Sequence, residues 1–99
     1  MRWTGALQAK RVADLAKPHD LNLAPNNHGP LLATLMVAQL RGAITNLRLL
    51  EYDADDAPWR DTLLSQPLTF SGGHLVLPDG SGWGAQINEA VLREHERRA

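Results

Sequence analysis

Cysteine, a strong net charge and aromatic clusters are all missing from this sequence. The lack of cysteine excludes a disulfide framework and a thiolate nucleophile. The net charge is -1 at pH 7, so no general electrostatic attraction to nucleic acid or to an anionic membrane is expected. Aromatic residues make up 5% of the chain and are not interleaved with a basic pattern, which argues against a stacking platform for nucleic acid.

Long hydrophobic runs are also absent. The longest run, residues 31–40, is shorter than the roughly 20 residues of a membrane-spanning helix, and it contains Thr34 and Gln39. The opening residues, MRWTGALQAKR, lack the apolar core of a signal peptide. We therefore expect a cytoplasmic protein with a small hydrophobic core and with neither nucleic acid nor a membrane as a partner.

The sequence changes character near residue 51, which predicts two parts, 1–51 and 52–99. The first part alternates helix and strand patterns. It predicts a helix from residue 5 to about 17, a strand over 21–24, a helix over 31–41 and a strand over 47–50. Thr4 is suited to cap the first helix and Gly42 to end the second. The first helix carries a narrow stripe of small apolar residues suited to close packing, namely Ala9, Val12, Ala13 and Ala16.

The two predicted strands should run parallel. A connection that contains a whole helix is too long for a hairpin, so strand, helix and strand form a βαβ unit. Parallel strands need cover on both faces, and the helix over 31–41 is apolar around most of its circumference. Because two strands and two helices cannot supply this cover, we expect self-association or docking onto a complementary half of a larger fold.

The second part predicts an antiparallel hairpin and a terminal helix. Residues 68–70 and 74–77 are strand-like and flank Gly72 and Gly73. The glycine-rich loop over 78–84 lacks the spacing of known phosphate-binding motifs, so it is interpreted as a shaped turn. Asn88 is suited to cap a helix from 89 to about 97. Three aspartates, Asp53, Asp55 and Asp56, are interpreted as a solvated turn, since the calcium-loop pattern is absent.

Polar residues follow both predicted parallel strands. Asn26, Asn27 and His28 come after the first strand, and Glu51 ends the second. Chemistry in parallel α/β folds gathers at the carboxyl ends of the strands, so this edge is the predicted site. Plainer alternatives stay open: asparagines that shape a loop, an ordinary loop histidine, and a carboxylate paired with a basic residue.

The order of several motifs closely resembles the C-terminal part of the enolase superfamily, in its mandelate racemase and muconate-lactonizing branch, which includes acid-sugar dehydratases. The motifs are APNNHG, AITN followed by EYD, PWRD, and GGHLVLPDGSGWG before a short helix. The resemblance implies an α/β fold: the C-terminal portion of a modified TIM barrel, with residues 21–24 and 47–50 as its seventh and eighth strands. The hairpin and the last helix would contribute to a capping region.

The family resemblance also implies a chemistry. Members abstract a proton next to a carboxylate, and Mg²⁺ stabilises the enediolate. His28 and Glu51 are the candidate catalytic residues, and Asn26 and Asn27 the candidate substrate-binding residues. The family's metal ligands and lysine base lie on earlier strands, for which this chain has no candidates. No metal ligand is therefore assigned here, and Mg²⁺ is implied only for a complete family member.

One departure from the family pattern concerns the base. Many relatives have APH where this chain has Ala24, Pro25 and Asn26, so Asn26 takes the histidine's place. Asparagine can donate a hydrogen bond but cannot shuttle a proton at neutral pH. The histidine base is either lost or supplied by His28 through a shifted loop.

Two functions follow from these patterns. The first is the C-terminal segment of a racemase or dehydratase that acts on hydroxy or sugar acids and is inactive by itself. The alternative is a non-catalytic remnant or a self-associating assembly module.

Overall fold

The computed structural model describes residues 5–54 and 58–96, and the chain forms two units, Met1–Ala54 and Asp55–Ala99. In the first unit, helix α1 spans Gly5–Ala16, a 3₁₀ helix follows over Lys17–His19, and helix α2 spans Leu31–Ala43. In the second unit, a 3₁₀ helix spans Arg60–Leu63, strands β1 and β2 span Thr69–Ser71 and His74–Val76, and helix α3 spans Glu89–Glu94. None of the described helices is long and apolar enough to cross a membrane. Thr4, the predicted cap of α1, lies outside the described residues.

Helix α1 contacts the core along a line narrower than the predicted stripe. Ala13 belongs to the hydrophobic core and is 1% exposed, and Ala9 packs against that core. Val12, in contrast, is 51% exposed. The prediction that Val12 belongs to the buried stripe is wrong, because the small side chains of Ala9 and Ala13 make the contact one turn apart. The chain then leaves α1 through the 3₁₀ turn and through Asp20, which has a left-handed backbone conformation (φ 56°).

Helix α2 carries most of the core of the first unit, as its sequence predicts. Its buried residues cover more than one side, namely Leu31, Thr34, Leu35, Val37, Ala38 and Leu40. The prediction that Gly42 ends the helix is wrong. The helix continues to Ala43, and the extended Ile44 then enters the core at 5% exposure while the Arg41 guanidinium donates to its carbonyl (2.9 Å).

The predicted strands over 21–24 and 47–50 are reduced to a single parallel bridge, between Leu23 and Leu47. The Leu23 N–H donates to the Asn46 carbonyl (2.7 Å), and the Arg48 N–H donates to the Leu23 carbonyl (2.8 Å). The parallel direction is confirmed and the regular strands are wrong. Among the described residues no further strand lies alongside, and such short parallel segments have little hydrogen bonding of their own.

The second unit confirms the hairpin and the capped helix. Strand β1 pairs with β2 in antiparallel register through a turn at Gly72 and Gly73, which both have positive φ. The Asn88 side chain accepts hydrogen bonds from two backbone N–H groups at the start of α3. The helix ends at Glu94 rather than near 97. Directly after this end, His95 Nδ1 lies 3.0 Å from the Val91 carbonyl oxygen. The bridge between Leu64 and Ile87 was not foreseen.

Candidate functional site

The parallel bridge determines which residues meet beyond it. Leu23 pairs with Leu47, and the two segments leave the bridge in the same direction. Asn27 and Glu51 each lie four positions further along their segment, so the register brings them level with one another. The carboxyl edge that the sequence predicts as the site is thereby formed within the first unit.

Asn27 holds Glu51 at two points. Its backbone N–H donates to the Glu51 carboxylate at Oε2 (2.9 Å), and its side-chain Nδ2 donates to the Glu51 carbonyl oxygen (2.9 Å). The same Nδ2 donates to the Thr34 hydroxyl (2.8 Å). Since Asn27 is 4% exposed and Thr34 is fully buried, the hydrogen bond between their side chains is shielded from competing water, whereas the two hydrogen bonds to Glu51 are partly buried.

A proline at each end restricts the backbone of the loop that carries Asn27 to the start of α2. Pro25 follows the bridged segment directly, and Pro30 precedes the first residue of α2. The Pro30 carbonyl accepts the first N–H of the helix ladder, from Ala33 (2.8 Å), and no side chain caps the helix. Asn27 reaches over this first turn to Thr34, so the loop is folded back onto the helix that follows it.

His28 lies next to Asn27 and faces Asp53. Its Nδ1 is 3.7 Å from Asp53 Oδ2, and the two side chains are 70% and 39% exposed. This separation exceeds that of a hydrogen bond, and an exposed ion pair contributes little to stability. The pair nevertheless places a carboxylate beside an imidazole, the kind of side chain that most often serves as a general acid or base.

Asp53 was not among the site residues predicted from the sequence. The parallel arrangement could have indicated this residue, because it brings the residues that follow Leu47 alongside the residues that follow Leu23. Asp53 and His28 follow Glu51 and Asn27 closely, so a pairing between these two loops could have been anticipated. Asp55 and Asp56, which the sequence analysis grouped with Asp53, lie outside the described residues.

The four predicted site residues therefore have different surroundings. Glu51 is half-buried and Asn27 is buried, and a hydrogen bond joins the Asn27 N–H to the Glu51 carboxylate. His28 is exposed beside them, and Asn26 is exposed on the same loop. The arrangement offers a fixed carboxylate, an imidazole that can exchange protons with solvent, and an amide that can reach a ligand.

Metal binding is not supported by the donor set of the described residues. Within residues 5–54 and 58–96, no three histidine or carboxylate side chains gather closely enough to hold a metal ion. The oxygen-rich coordination that Mg²⁺ requires does not fit these residues, and no chemical step is assigned to a metal in this chain.

Residues 1–91 match the family described as enolase C-terminal domain-like. D-xylonate dehydratase of Haloferax volcanii is 26% identical over 91 residues, covering 92% of this chain and 22% of the relative. A candidate L-alanine-DL-glutamate epimerase of Burkholderia xenovorans, solved with magnesium and fumarate, superposes with a TM-score of 0.87 at 35% identity, covering 94% and 23% of the two chains.

A mandelate racemase/muconate lactonizing enzyme-like protein of Rubrobacter xylanophilus superposes with a TM-score of 0.83 at 29% identity, covering 95% of this chain and 24% of that protein. The chain thus spans less than a quarter of each of these three proteins. These matches confirm the resemblance predicted from the motifs. The chain belongs to the enolase C-terminal domain-like family.

Proposed function

We propose that this chain forms the last part of the active site of an enzyme that abstracts a proton next to the carboxylate of a hydroxy or sugar acid. The reaction would be a racemisation or a dehydration. The observation that carries the proposal is the Glu51 carboxylate, held 2.9 Å from the Asn27 N–H at the carboxyl edge of a parallel bridge. A carboxylate fixed at this edge is where parallel α/β folds place their chemistry.

The proposed setting is the end of a modified TIM barrel. Residues 21–24 and 47–50 are its seventh and eighth strands, and neighbouring strands of a complete barrel would extend the single bridge into ladders. The superposition on the Burkholderia protein supports this placement, with a TM-score of 0.87 over 94% of the chain. The remaining barrel would come from a complementary half, because the described residues of the first unit pair these two segments at Leu23 and Leu47 alone.

Each predicted site residue has a proposed task. Glu51 would stabilise the negative charge that develops on the substrate by donating a hydrogen bond, a role that requires the carboxylic acid form because an ionised carboxylate only accepts. His28, beside Asp53, carries a proton to or from the reacting carbon or its leaving group. Asn26 presents its exposed amide to the substrate. Asn27 Nδ2 donates its two hydrogen bonds to Thr34 and to the Glu51 carbonyl oxygen. These contacts do not test the predicted substrate binding by Asn27, which stays a prediction. In a complete enzyme Mg²⁺ would supply further charge stabilisation from ligands outside this chain.

A second function, a self-associating or docking module without catalysis, is favoured by one specific observation. Helix α1 exposes large apolar side chains, with Leu7 at 66%, Val12 at 51% and Leu15 at 71%. Large apolar side chains exposed along one helix would suit a protein partner if they form one contiguous patch. The two functions predict different results in one experiment.

The test mixes the purified chain with the complementary barrel portion of the Burkholderia protein. Proton NMR in D₂O, with Mg²⁺ and either mandelate or D-xylonate, follows the loss of the substrate's α-proton signal. The signal is lost by exchange for deuterium in a racemisation and by conversion to product in a dehydration. We expect loss of the α-proton signal only in the mixture, at a rate about a hundredfold lower in E51L, which removes the hydrogen-bonding group of Glu51. E89L is the matched control, because Glu89 is an exposed residue of α3 whose side chain pairs with Arg93.

Sedimentation of the same samples separates the two functions. A stable complex without loss of the α-proton signal would overturn the catalytic proposal. A chain that forms its own dimers, ignores the barrel portion and loses the dimer in L15K would support the assembly module instead.

A further inference from the structure

We infer that Asn27 and Thr34 are positioning residues that orient the Glu51 carboxylate. The inference rests on the proposed function, since orientation matters for catalysis only if Glu51 acts on the substrate. It assigns Thr34, a residue inside an apolar helix, to the site. It also gives Asn27 a task other than substrate binding.

The first observation is the burial of the Thr34 hydroxyl group inside an apolar helix. Thr34 is fully buried, with Leu31 and Leu35 of α2 also at 0% exposure. A buried hydroxyl destabilises a core unless it is hydrogen-bonded, and valine has nearly the same shape without that cost. Packing of α2 therefore does not explain a threonine here. Its hydroxyl accepts a hydrogen bond from Asn27 Nδ2 at 2.8 Å, which is the contact that distinguishes it from valine.

The geometry at Asn27 is the second observation. Nδ2 carries two hydrogens, and its two acceptors are the Thr34 hydroxyl and the Glu51 carbonyl. Two acceptors in different directions fix the plane of the amide group, and with it the adjoining backbone. That backbone presents its N–H to Glu51 Oε2 at 2.9 Å. Thr34 thus acts on the Glu51 carboxylate through one intervening residue.

The third observation is that Glu51 is held at both ends. Its carbonyl accepts from the Asn27 side chain, and its carboxylate accepts from the Asn27 backbone. A hydrogen bond to a carboxylate is stronger than a neutral one, so this contact restricts the side chain as well as the loop. Loss of the Thr34 hydroxyl would leave the loop in place while allowing the carboxylate more orientations.

The test compares T34V with T34S in the ¹⁵N-labelled chain. In T34V we expect hydrogen exchange at the Asn27 backbone N–H to be about tenfold faster, with amides of α2 at Val37 and Leu40 unchanged. T34S keeps a hydroxyl and should restore protection to within about twofold. T45V is the matched control, because Thr45 is exposed in the same unit.

Two results would overturn the inference in this measurement. One is unchanged exchange at the Asn27 N–H in T34V. The other is equal acceleration throughout α2, which indicates general destabilisation. If T34V does not fold, N27A serves instead, because it keeps the backbone N–H and removes both side-chain hydrogen bonds. Faster exchange at position 27 of that variant is then the expected result, and unchanged exchange overturns the inference.

Activity in the mixture with the barrel portion provides the second readout. T34V should lower kcat about ten- to a hundredfold while KM changes little, because substrate still binds but meets a misoriented carboxylate. T34S should recover the activity, and T45V should match the wild type. An active wild-type mixture in which T34V keeps its full kcat overturns the inference and leaves the proposed function standing. An inactive wild-type complex overturns the proposed function, and the exchange measurement then decides whether Thr34 and Asn27 orient Glu51.

Discussion

The loop around the candidate site and the turns of the second unit obtain their shapes by different means. In the first unit, side chains bond to residues far away in the sequence, as Asn27 does to Glu51 and as Asn46 does to the Ala13 carbonyl (3.0 Å). In the second unit, Gly72 and Gly84 adopt positive φ, and Asn88 caps the helix that it begins. The site therefore depends on tertiary contacts, whereas the hairpin and the last helix depend on local geometry.

The largest expected effect is in the core of the first unit. L35A removes a side chain that is 0% exposed, and we expect the free energy of unfolding to fall by about 2–5 kcal/mol. L92A is the control, since Leu92 is 48% exposed, and its effect should stay below about 1 kcal/mol. Urea unfolding followed by circular dichroism measures both. Equal effects would contradict the assignment of the core to α2.

A smaller effect is expected at a glycine of the second unit. Gly84 is buried and has φ 88°, and a Cβ there would lie 2.5 Å from Pro78 Cγ. G84A should cost about 1–3 kcal/mol through backbone strain and this clash. In G29A the added Cβ would lie 3.5 Å from the Ala33 Cβ, an ordinary contact, so little change is expected. Amide hydrogen exchange across residues 74–84 measures this loss of stability. Unchanged protection in G84A would show that the loop accommodates a Cβ at position 84 without strain.

The smallest effect is at the cap of α3. N88A removes the side-chain acceptor of the Ala90 and Val91 N–H groups (3.2 and 3.4 Å), and should destabilise the helix by about 1 kcal/mol. N22A changes an exposed asparagine of the first unit and should have no effect on α3. Exchange rates of the α3 amides make the comparison. If N22A and N88A act alike, local capping does not hold this helix.

Local signals in the sequence predicted some elements well and others poorly, for physical reasons. The Gly72–Gly73 turn and the Asn88 cap were predictable because each depends on neighbours a few residues away. Gly42 has the same kind of signal as a helix stop, yet α2 continues past it because Ile44 packs into the core. Val12 fits the helical period but is exposed, since the period does not say how wide the contact is.

The candidate site shows the same division. The sequence shows that polar residues follow two apolar segments joined by a helix, and a connection of that length excludes a tight hairpin and favours a parallel pair. Which of these residues contact one another depends on the tertiary structure. The register of the Leu23–Leu47 bridge sets Asn27 against Glu51, and the fold of the loop onto α2 sets Asn27 against Thr34. A one-residue shift of that register would move Asn27 away from Glu51 without altering any local preference, because backbone pairing and burial, rather than propensity, select the register.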